Sequence, residues 1–234
     1  MDAQKFQFCG VMVAPEIVGR VHSDGGAVAI AFNVLVNRLD EEGDPLGEPF
    51  SVGRVKVRRY SDYALSQAGY DRIESMDMDA ETYEWGVFTH ESYGAMWDKA
   101  FKQSFTLEMI HDFVAIESAF IDPQFRSNGL FGHALVAICS VIGVSSDTAI
   151  MLLANPWAHL EEEGSLKDPA YKNDMKKLVN AYKKIGFKTL CRYDEIVVMA
   201  LLTCFRNKRW DALWEEGNDP EIIVSNFSGA AIAN

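Results

Sequence analysis

The residues with the clearest chemical potential form a short loop, residues 126–129 (Arg-Ser-Asn-Gly), between an apolar stretch and an amphipathic helix. The apolar stretch ends at Ile121, and Pro123 turns the chain toward the loop. A loop of small residues at a helix N-terminus presents unpaired backbone N–H groups and the positive end of the helix dipole. Because this combination binds phosphate oxygens, the pattern predicts a phosphorylated cofactor.

The elements predicted around this loop alternate between strands and helices. In chain order they are a strand over Phe113–Ile121, a helix over 129–142, a strand over Thr148–Ala154, a helix from Asn173 or Asp174 to Ile185, and strands over Phe187–Arg192 and Glu195–Phe205. The first helix has apolar residues on one face, and the continuous apolar run of the middle strand is typical of a strand buried on both faces. Gly186 is a natural stop for the second helix.

The N-terminal half is predicted to be rich in strands. Phe6–Ala14 is predicted as a strand that Pro15 ends, and Val28–Val36 alternates apolar and polar residues, as half-buried strands do. With Val52–Tyr60 it is expected to form a long hairpin across an acidic turn. Residues 61–91 show no clear pattern. The sequence also predicts helices over 92–103 and 209–215 and a frayed tail from residue 225.

Bulk properties narrow the function classes. The net charge of -12 argues against a sequence-independent grip on nucleic acid, and it is compatible with a cationic substrate such as an amine or with solubility alone. Lys56 and Arg58 are expected on one solvated strand face. The four cysteines have no metal-ligand spacing, so we expect buried thiols and no metal. No signal peptide and no apolar run of about 20 residues is evident, so a cytoplasmic protein without a membrane partner is expected.

Taken in this order, the motifs resemble those of the GNAT superfamily of N-acetyltransferases. Residues 121–126 (Ile-Asp-Pro-Gln-Phe-Arg) are similar to the family's hydrophobic-x-Pro-x-x-Gln/Arg approach to the cofactor, and residues 126–131 to its Gln/Arg-x-x-Gly-x-Gly/Ala loop. Residues 182–187 (Tyr-Lys-Lys-Ile-Gly-Phe) are similar to its Tyr-x-x-x-Gly-Phe segment. The resemblance covers Phe113–Phe205. Phe131 departs from it, because the family usually has a small residue there.

The resemblance implies that acetyl-CoA is the cofactor and co-substrate. Backbone amides from Ser127 to Gly132 would take the pyrophosphate, and parallel strands that splay apart would pair with the pantetheine arm. An amide N–H of Phe120 or Ile121 would polarise the thioester carbonyl. The cofactor-binding residues that it implies are Phe120, Ile121, Arg126, Ser127, Asn128, Gly129, Leu130, Phe131, Gly132 and Asn155.

The resemblance also implies a direct transfer that needs a base and an acid. Tyr182 is the candidate general acid, with a packed structural tyrosine as the other interpretation. Glu117 is the first candidate base, expected on the strand face of Ala115 and Ala119 with Ser118 pointing the other way. A structural carboxylate is the other interpretation of Glu117. Three further residues are fallback bases, namely His90, Glu91 and His111.

The expected fold class is α/β (α+β), a single GNAT-like domain whose mixed, mostly antiparallel sheet is splayed at the cofactor slot and flanked by helices. Residues 1–205 would form this domain, with 1–110 as a divergent acceptor-side half and 111–205 as the acetyl-CoA-binding half. Residues 206–234 would be a C-terminal extension. The expected activity is acetyl transfer to a primary amine of a small molecule or a protein.

Several alternatives stay open. The chain can use another acyl-CoA with a longer acyl group or an aminoacyl donor, and the pocket around Ala115, Ala119 and Tyr182 would discriminate, since small residues there admit longer groups. It can be a non-catalytic relative that binds a partner or senses CoA. A nucleotide-binding fold of alternating strands and helices is disfavoured by the paired strands at both ends of the chain. The identity of the acceptor, the general base and a homodimer also stay open.

Overall fold

The structure, a computed structural model, describes residues 5–20, 27–60, 99–102, 112–156, 169–193, 196–203, 208–215 and 222–225. Its strands are β1 (Lys5–Arg20), β2 (Ala27–Arg38), β3 (Phe50–Tyr60), β4 (Asp112–Ile121), β5 (Thr148–Ala154), β6 (Lys188–Tyr193), β7 (Ile196–Leu202) and β8 (Ile222–Ser225). Its helices include a 3-10 turn (Pro123–Phe125), α1 (Leu130–Ile142), α2 (Pro169–Ile185) and α3 (Lys208–Trp214). The architecture is α+β.

All eight strands belong to one mixed sheet with the order β6-β7-β5-β4-β3-β2-β1-β8. β4 and β5 run parallel, and the other neighbouring strands in this order pair antiparallel. The β2–β3 hairpin confirms the pairing predicted from the alternation of apolar residues. The expectation of a mixed, mostly antiparallel sheet flanked by helices is therefore confirmed at this level.

The two faces of the sheet differ in chemistry. The helical face carries Val55, Val57, Val114 and Ile116, which belong to one apolar core with buried residues of α1, α2 and α3. The opposite face carries Arg54, Lys56 and Arg58, because alternate residues of a strand point to opposite sides. The predicted apolar stripe of α1 is buried, from Leu130 to Ile142, which confirms its orientation.

The acidic turn between β2 and β3 is organised by a side chain. Asp40 Oδ1 accepts the N–H groups of Glu42 at 3.0 Å and Asp44 at 2.9 Å. Aspartate commonly stabilises turns in this way. The carboxylates of Asp40, Glu42 and Asp44 lie within 4.8 Å of one another, and the last two residues are exposed. The acidity of this segment thus has a local structural role.

The predicted end of β1 at Pro15 is wrong, because the strand continues to Arg20 and Pro15 pairs with Phe32. Proline has no backbone N–H and is tolerated where a strand edge has no neighbour. β8 pairs with β1 only over Lys5–Phe8, so Pro15 lies beyond that pairing.

Two further boundaries differ from the prediction. α2 begins at Pro169 and not at Asn173 or Asp174, since proline fits the first turn of a helix without losing a hydrogen bond. Residues 222–225 form β8 at the edge of the sheet, a short strand that the sequence did not indicate. Ile222 and Val224 of β8 are buried, so part of the predicted extension belongs to the main sheet. None of the described helices has both the length and the apolar character needed to cross a membrane.

Candidate functional site

The central feature of the site is the point where β4 and β5 cease to pair. Their parallel pairing runs from Asp112 and Thr148 to Ile116 and Leu152. β4 then continues to Ile121 while pairing only with β3, and the last residues of β5 pair only with β7. One edge of β4 therefore presents backbone N–H and C=O groups over residues 117–121 that no described strand uses. Such an edge can pair with an extended, amide-rich ligand.

Glu117 lies at a β-bulge beside this point. Val57 pairs with Ile116 and Lys56 pairs with Ser118, so Glu117 is the additional residue of β4. Strand partners share a face, which places Ser118 with Lys56 on the opposite face and Ala119 with Val55 on the helical face. The prediction that Glu117 shares a face with Ala115 is therefore confirmed, since Ala115 pairs with Arg58 on the opposite face. The prediction is wrong for Ala119, which lies on the helical face, and for Ser118, which lies on the face of Glu117.

Two cations hold the Glu117 carboxylate. Oε1 lies 2.5 Å from Arg58 Nη2, and Oε2 lies 2.6 Å from Lys56 Nζ. Glu117 Oε2 is inaccessible to solvent and forms no hydrogen bond with the described residues. Its contact with Lys56 Nζ is therefore an ion pair without hydrogen-bond alignment. The Glu117 side chain is 17% exposed. This setting fits the interpretation as a structural carboxylate, and the role of Glu117 as a base stays a prediction.

The loop before α1 has the backbone shape of an anion cradle. Ser127 and Gly129 adopt left-handed conformations, with φ angles of 72° and 75°. Asn128 Nδ2 donates to the carbonyl groups of Phe125 at 3.2 Å and Arg126 at 3.4 Å, which tightens the loop. Within the described chain, no hydrogen bond occupies the backbone N–H groups from Ser127 to Phe131. Left-handed turns that point successive N–H groups outward favour anions.

The first turn of α1 is fixed by packing as well as by backbone geometry. Phe131 meets the ring of Tyr182 edge to face, with 5.4 Å between centroids. A Cβ atom at Gly132 would lie 3.1 Å from Leu213 Cδ1, so glycine allows α3 to approach closely. The Gly132 N–H already donates to the Gly129 carbonyl at 2.9 Å. The N–H groups available to a ligand therefore end at Phe131.

Arg126 connects the loop to the end of β4. Its Nε donates to the Ile121 carbonyl at 2.8 Å, and its guanidinium lies 5.7 Å from the centroid of the Phe120 ring. The Phe120 side chain is 54% exposed. The buried ring of Phe125 anchors the intervening turn against Phe8, with 5.2 Å between centroids. The structure thus brings Phe120, Ile121 and Arg126 together.

Tyr182 lies in the last turns of α2, partly buried among aromatic rings. Its ring centroid is 6.0 Å from that of Phe187, in addition to the contact with Phe131. Burial raises the pKa of the Tyr182 hydroxyl to about 12, because the interior disfavours the charged phenolate. At neutral pH the phenol is protonated, which is the form that a general acid requires.

Asn155 follows the end of β5 and is tied to α2. Its Oδ1 accepts a hydrogen bond from the Tyr171 hydroxyl at 3.1 Å. Tyr171 is fully buried, so the contact fixes the side-chain amide at the end of the strand. The remaining amide N–H groups of Asn155 are the part of this side chain that a ligand can use.

Three residues near the site were not predicted to lie there, although the sequence had placed Lys56 and Arg58 on one strand face. Lys56 and Arg58 lie about 60 positions before Glu117, and only the β3–β4 register brings them to it. A Cβ atom at Gly53 would collide with the Phe120 carbonyl oxygen and lie 2.8 Å from Ile121 Cδ1. A glycine inside a strand is itself a signal of close backbone approach, and it could have identified this position.

Some predicted residues give no further chemistry. His90, Glu91 and His111 lie outside the described residues. Cys139 is buried in α1, as the sequence predicted for a scattered thiol, and burial raises the pKa of its thiol to about 12, which disfavours the reactive thiolate. No family model matches the chain, and no curated protein is significantly similar to it.

Proposed function

We propose that this chain is a GNAT-type N-acetyltransferase that moves an acetyl group from acetyl-CoA to a primary amine. The observation that carries the proposal is the end of β4–β5 pairing beside a loop with unoccupied backbone N–H groups. A mixed, mostly antiparallel sheet with one parallel pair that parts beside such a loop is what the motif resemblance implies. The pantetheine amides would pair with residues 117–121 of β4, and the pyrophosphate would accept N–H groups of residues 127–131.

In the proposed reaction one bond forms and one bond breaks, and each proton has a donor and an acceptor. The amine nitrogen attacks the thioester carbonyl carbon, a C–N bond forms and the C–S bond breaks. A proton leaves the amine toward Glu117, through a water molecule because two cations hold the carboxylate. The CoA thiolate takes a proton from the Tyr182 phenol. The Phe120 or Ile121 N–H would polarise the carbonyl oxygen.

A second candidate is a non-catalytic protein that binds CoA or a partner. The two ion pairs of Glu117 favour it, because a carboxylate held in this way also serves a structural purpose. A transferase for another acyl-CoA is a variant of the first proposal. The reducing cytoplasm, expected from the scattered cysteines, would suit either candidate.

Calorimetric titration with acetyl-CoA, with free CoA and NADH as controls, tests the proposal. We expect micromolar binding of acetyl-CoA and no binding of NADH. Thiol release from acetyl-CoA in the presence of a panel of primary amines then separates the candidates, since binding without turnover supports the non-catalytic one. Absence of any binding of CoA compounds would overturn the transferase and the CoA-binding protein, and would leave the protein that binds a partner.

Substitutions at two glycines test whether the loop is the binding site in this titration. Gly129→Glu puts a negative side chain into the loop, and we expect it to abolish acetyl-CoA binding. Gly143→Glu is the matched control, because Gly143 ends the same helix with a similar left-handed φ of 67°. Both variants carry the same strain and charge, and only the first lies at the proposed phosphate seat. Undiminished affinity in Gly129→Glu would remove the loop from the site.

A further inference from the structure

Three cations form a row on the opposite face of the sheet, beside the point where β4 leaves β5. Arg54, Lys56 and Arg58 alternate along β3, and we call them the basic row. Their partners in the neighbouring strands are small or short, namely Asn33, Ala31 and Ala29 of β2 and Ser118 and Ala115 of β4, with Phe120 opposite Arg54. Because most of these neighbours are small, the charged groups of the basic row extend beyond the side chains around them.

The charge of this surface is opposite to that of the whole chain. Glu16 pairs with Arg54 at 2.8 Å, and Glu117 is shared by Lys56 and Arg58. Arg126, stacked over Phe120, adds a fourth cation next to Arg54. Among the residues that the structure describes on this surface, four cations and two carboxylates leave an excess of positive charge, in a chain whose net charge is -12. Interactions beyond about 8 Å are largely screened at physiological salt, so local charge decides what this surface attracts.

Two members of the basic row, Arg54 and Lys56, have hydrogen-bond donors that no described residue uses. The Arg54 and Lys56 side chains are 55% and 40% exposed. Within the described chain Lys56 is paired with Glu117, and an ammonium group carries three N–H donors. Arg54 Nη2 donates a hydrogen bond to Glu16, and the other N–H groups of the guanidinium are not part of that contact. Exposed cations with unused donors are suited to a carboxylate.

The location relates this surface to the reaction. α1 and its loop pack on the helical face, whereas Glu117 points to the opposite face. A cofactor seated at α1 would present its thioester between the strands, and an acceptor would then approach from the face of Glu117. Lys56 touches Glu117, and Arg54 follows on the same face about 6.6 Å further along β3.

We infer that the acceptor is an amine that also carries a carboxylate, which the basic row binds while the amine lies near Glu117. This inference rests on the proposed function for the statement that the ligand is the acceptor. The carboxylate-binding surface itself does not depend on it. The net charge of the chain favours a cationic acceptor, and the local charge favours one with a negative group as well.

Matched pairs of amines test the inference. The probes are glycine, β-alanine and 4-aminobutyrate, each compared with the alkylamine in which a methyl group replaces the carboxylate, and with its own methyl ester. Binding is measured by ligand-observed NMR on the full chain with and without an excess of CoA, and turnover by CoA release from acetyl-CoA. We expect at least one amino acid to bind about tenfold more tightly than its alkylamine and its ester, the gain typical of a charge-assisted hydrogen bond.

Two exposed residues serve as opposite variants. Arg54→Gln removes a cation and is expected to reduce the preference for the carboxylate at least threefold. Glu16→Gln removes the partner of Arg54 and is expected to increase the preference. Both side chains are more than half exposed, so folding is expected to survive and circular dichroism verifies it. Raising the salt concentration should weaken the preference in the unchanged protein.

The outcomes separate the two proposals. Equal binding of amino acids, esters and alkylamines overturns the inference, as does a preference that Arg54→Gln leaves unchanged. A preference that both variants shift as expected supports the surface even if acetyl-CoA does not bind, in which case only the transferase proposal fails. Transfer to alkylamines with rejection of amino acids overturns the inference and leaves the transferase proposal intact.

Discussion

Glu117 and Tyr182, the two residues proposed for catalysis, lie in contrasting surroundings. Glu117 lies between two cations on one face of the sheet, and Tyr182 lies among rings in the helical layer. The apolar setting of Tyr182 favours its neutral phenol. Under the proposed function, the protonated phenol is the state that a general acid needs before the reaction begins.

Removal of one hydroxyl group tests the role of Tyr182. Tyr182→Phe is expected to lower kcat about 100-fold, a typical contribution of general acid catalysis, and to leave the Kd for acetyl-CoA within about twofold. The ring contacts with Phe131 and Phe187 persist in this variant. Steady-state kinetics and calorimetry provide the two numbers.

Tyr182→Leu is the control for packing. It removes the ring, so we expect a loss of stability that Tyr182→Phe does not show. Equal turnover in Tyr182→Phe and the unchanged protein would exclude the hydroxyl from the mechanism.

The raised pKa values of Cys139 and Tyr182 predict weaker stability at alkaline pH. Both pKa values are about 12 in the folded chain and lower in the unfolded chain, so above about pH 9 the unfolded state binds fewer protons. The contribution of each group to the free energy of unfolding is therefore fully present below its pKa in the unfolded chain. It is lost as the pH rises toward 12, by at most about 1.4 kcal/mol per pH unit for each group.

Urea unfolding between pH 8 and about pH 11 measures this slope. Cys139→Ala is expected to reduce the slope in the lower part of this range, where the unfolded thiol already ionises. An unchanged slope in the variant would show that Cys139 does not contribute.

At the scale of elements, strong periodicity decided which parts of the fold could be predicted. The alternation in β2 and β3 and the continuous apolar run of β5 lead directly to strands. The extension of β1 past Pro15 and the strand β8 depend on where a strand lies in the sheet, and such tertiary context is absent from local patterns.

The candidate site was predictable to a similar extent. The loop at residues 126–129 follows from local residue types, and the structure gives it the expected position at the start of α1. The bulge at Glu117 and its cationic partners could not be derived, because strand register is set by contacts between distant segments. One additional residue in β4 was enough to move Ser118 and Ala119 to faces opposite to those predicted.

The close approach of β3 and β4 makes Gly53 a sensitive element of the slot. Gly53→Ala is expected to destabilise the chain by about 1–3 kcal/mol, since the new methyl group must displace the backbone at Phe120. The same displacement should weaken acetyl-CoA binding under the proposed function. Urea unfolding and calorimetry are the measurements.

Gly43→Ala is the control for backbone strain alone. Gly43 has a φ of 90° and no atom near the position of a new Cβ, so this variant tests strain without a collision. We expect a cost of about 1 kcal/mol and unchanged cofactor affinity. Equal effects of the two variants on affinity would contradict the special role of Gly53.

At the scale of the whole molecule, the segment after β7 belongs to the same structure as the site. α3 packs near Gly132 through Leu213, and Arg209 donates to the Lys183 carbonyl in the last turns of α2. β8 completes the sheet on the far side of β1. The C-terminal segment therefore supports both the first turn of α1 and the N-terminal strand.

Substitutions of two adjacent isoleucines show how much β8 contributes to the free energy of unfolding. Ile222 is fully buried and Ile223 is 44% exposed. Ile222→Ala is expected to cost about 2–5 kcal/mol, whereas Ile223→Ala should cost less than about 1 kcal/mol. Chemical unfolding of both variants provides the comparison. Similar values would mean that β8 does not pack on the core in solution.

The pairing of β1 with β8 has a consequence for the synthesis of the chain. Lys5–Phe8 cannot pair with Ile222–Ser225 until that segment has been synthesised, more than 200 residues later. At a translation rate of 5–20 residues per second, this interval lasts roughly 10 to 40 s. Throughout that time the edge of β1 lacks its pairing with β8, and all the other described strands are synthesised before that pairing can form.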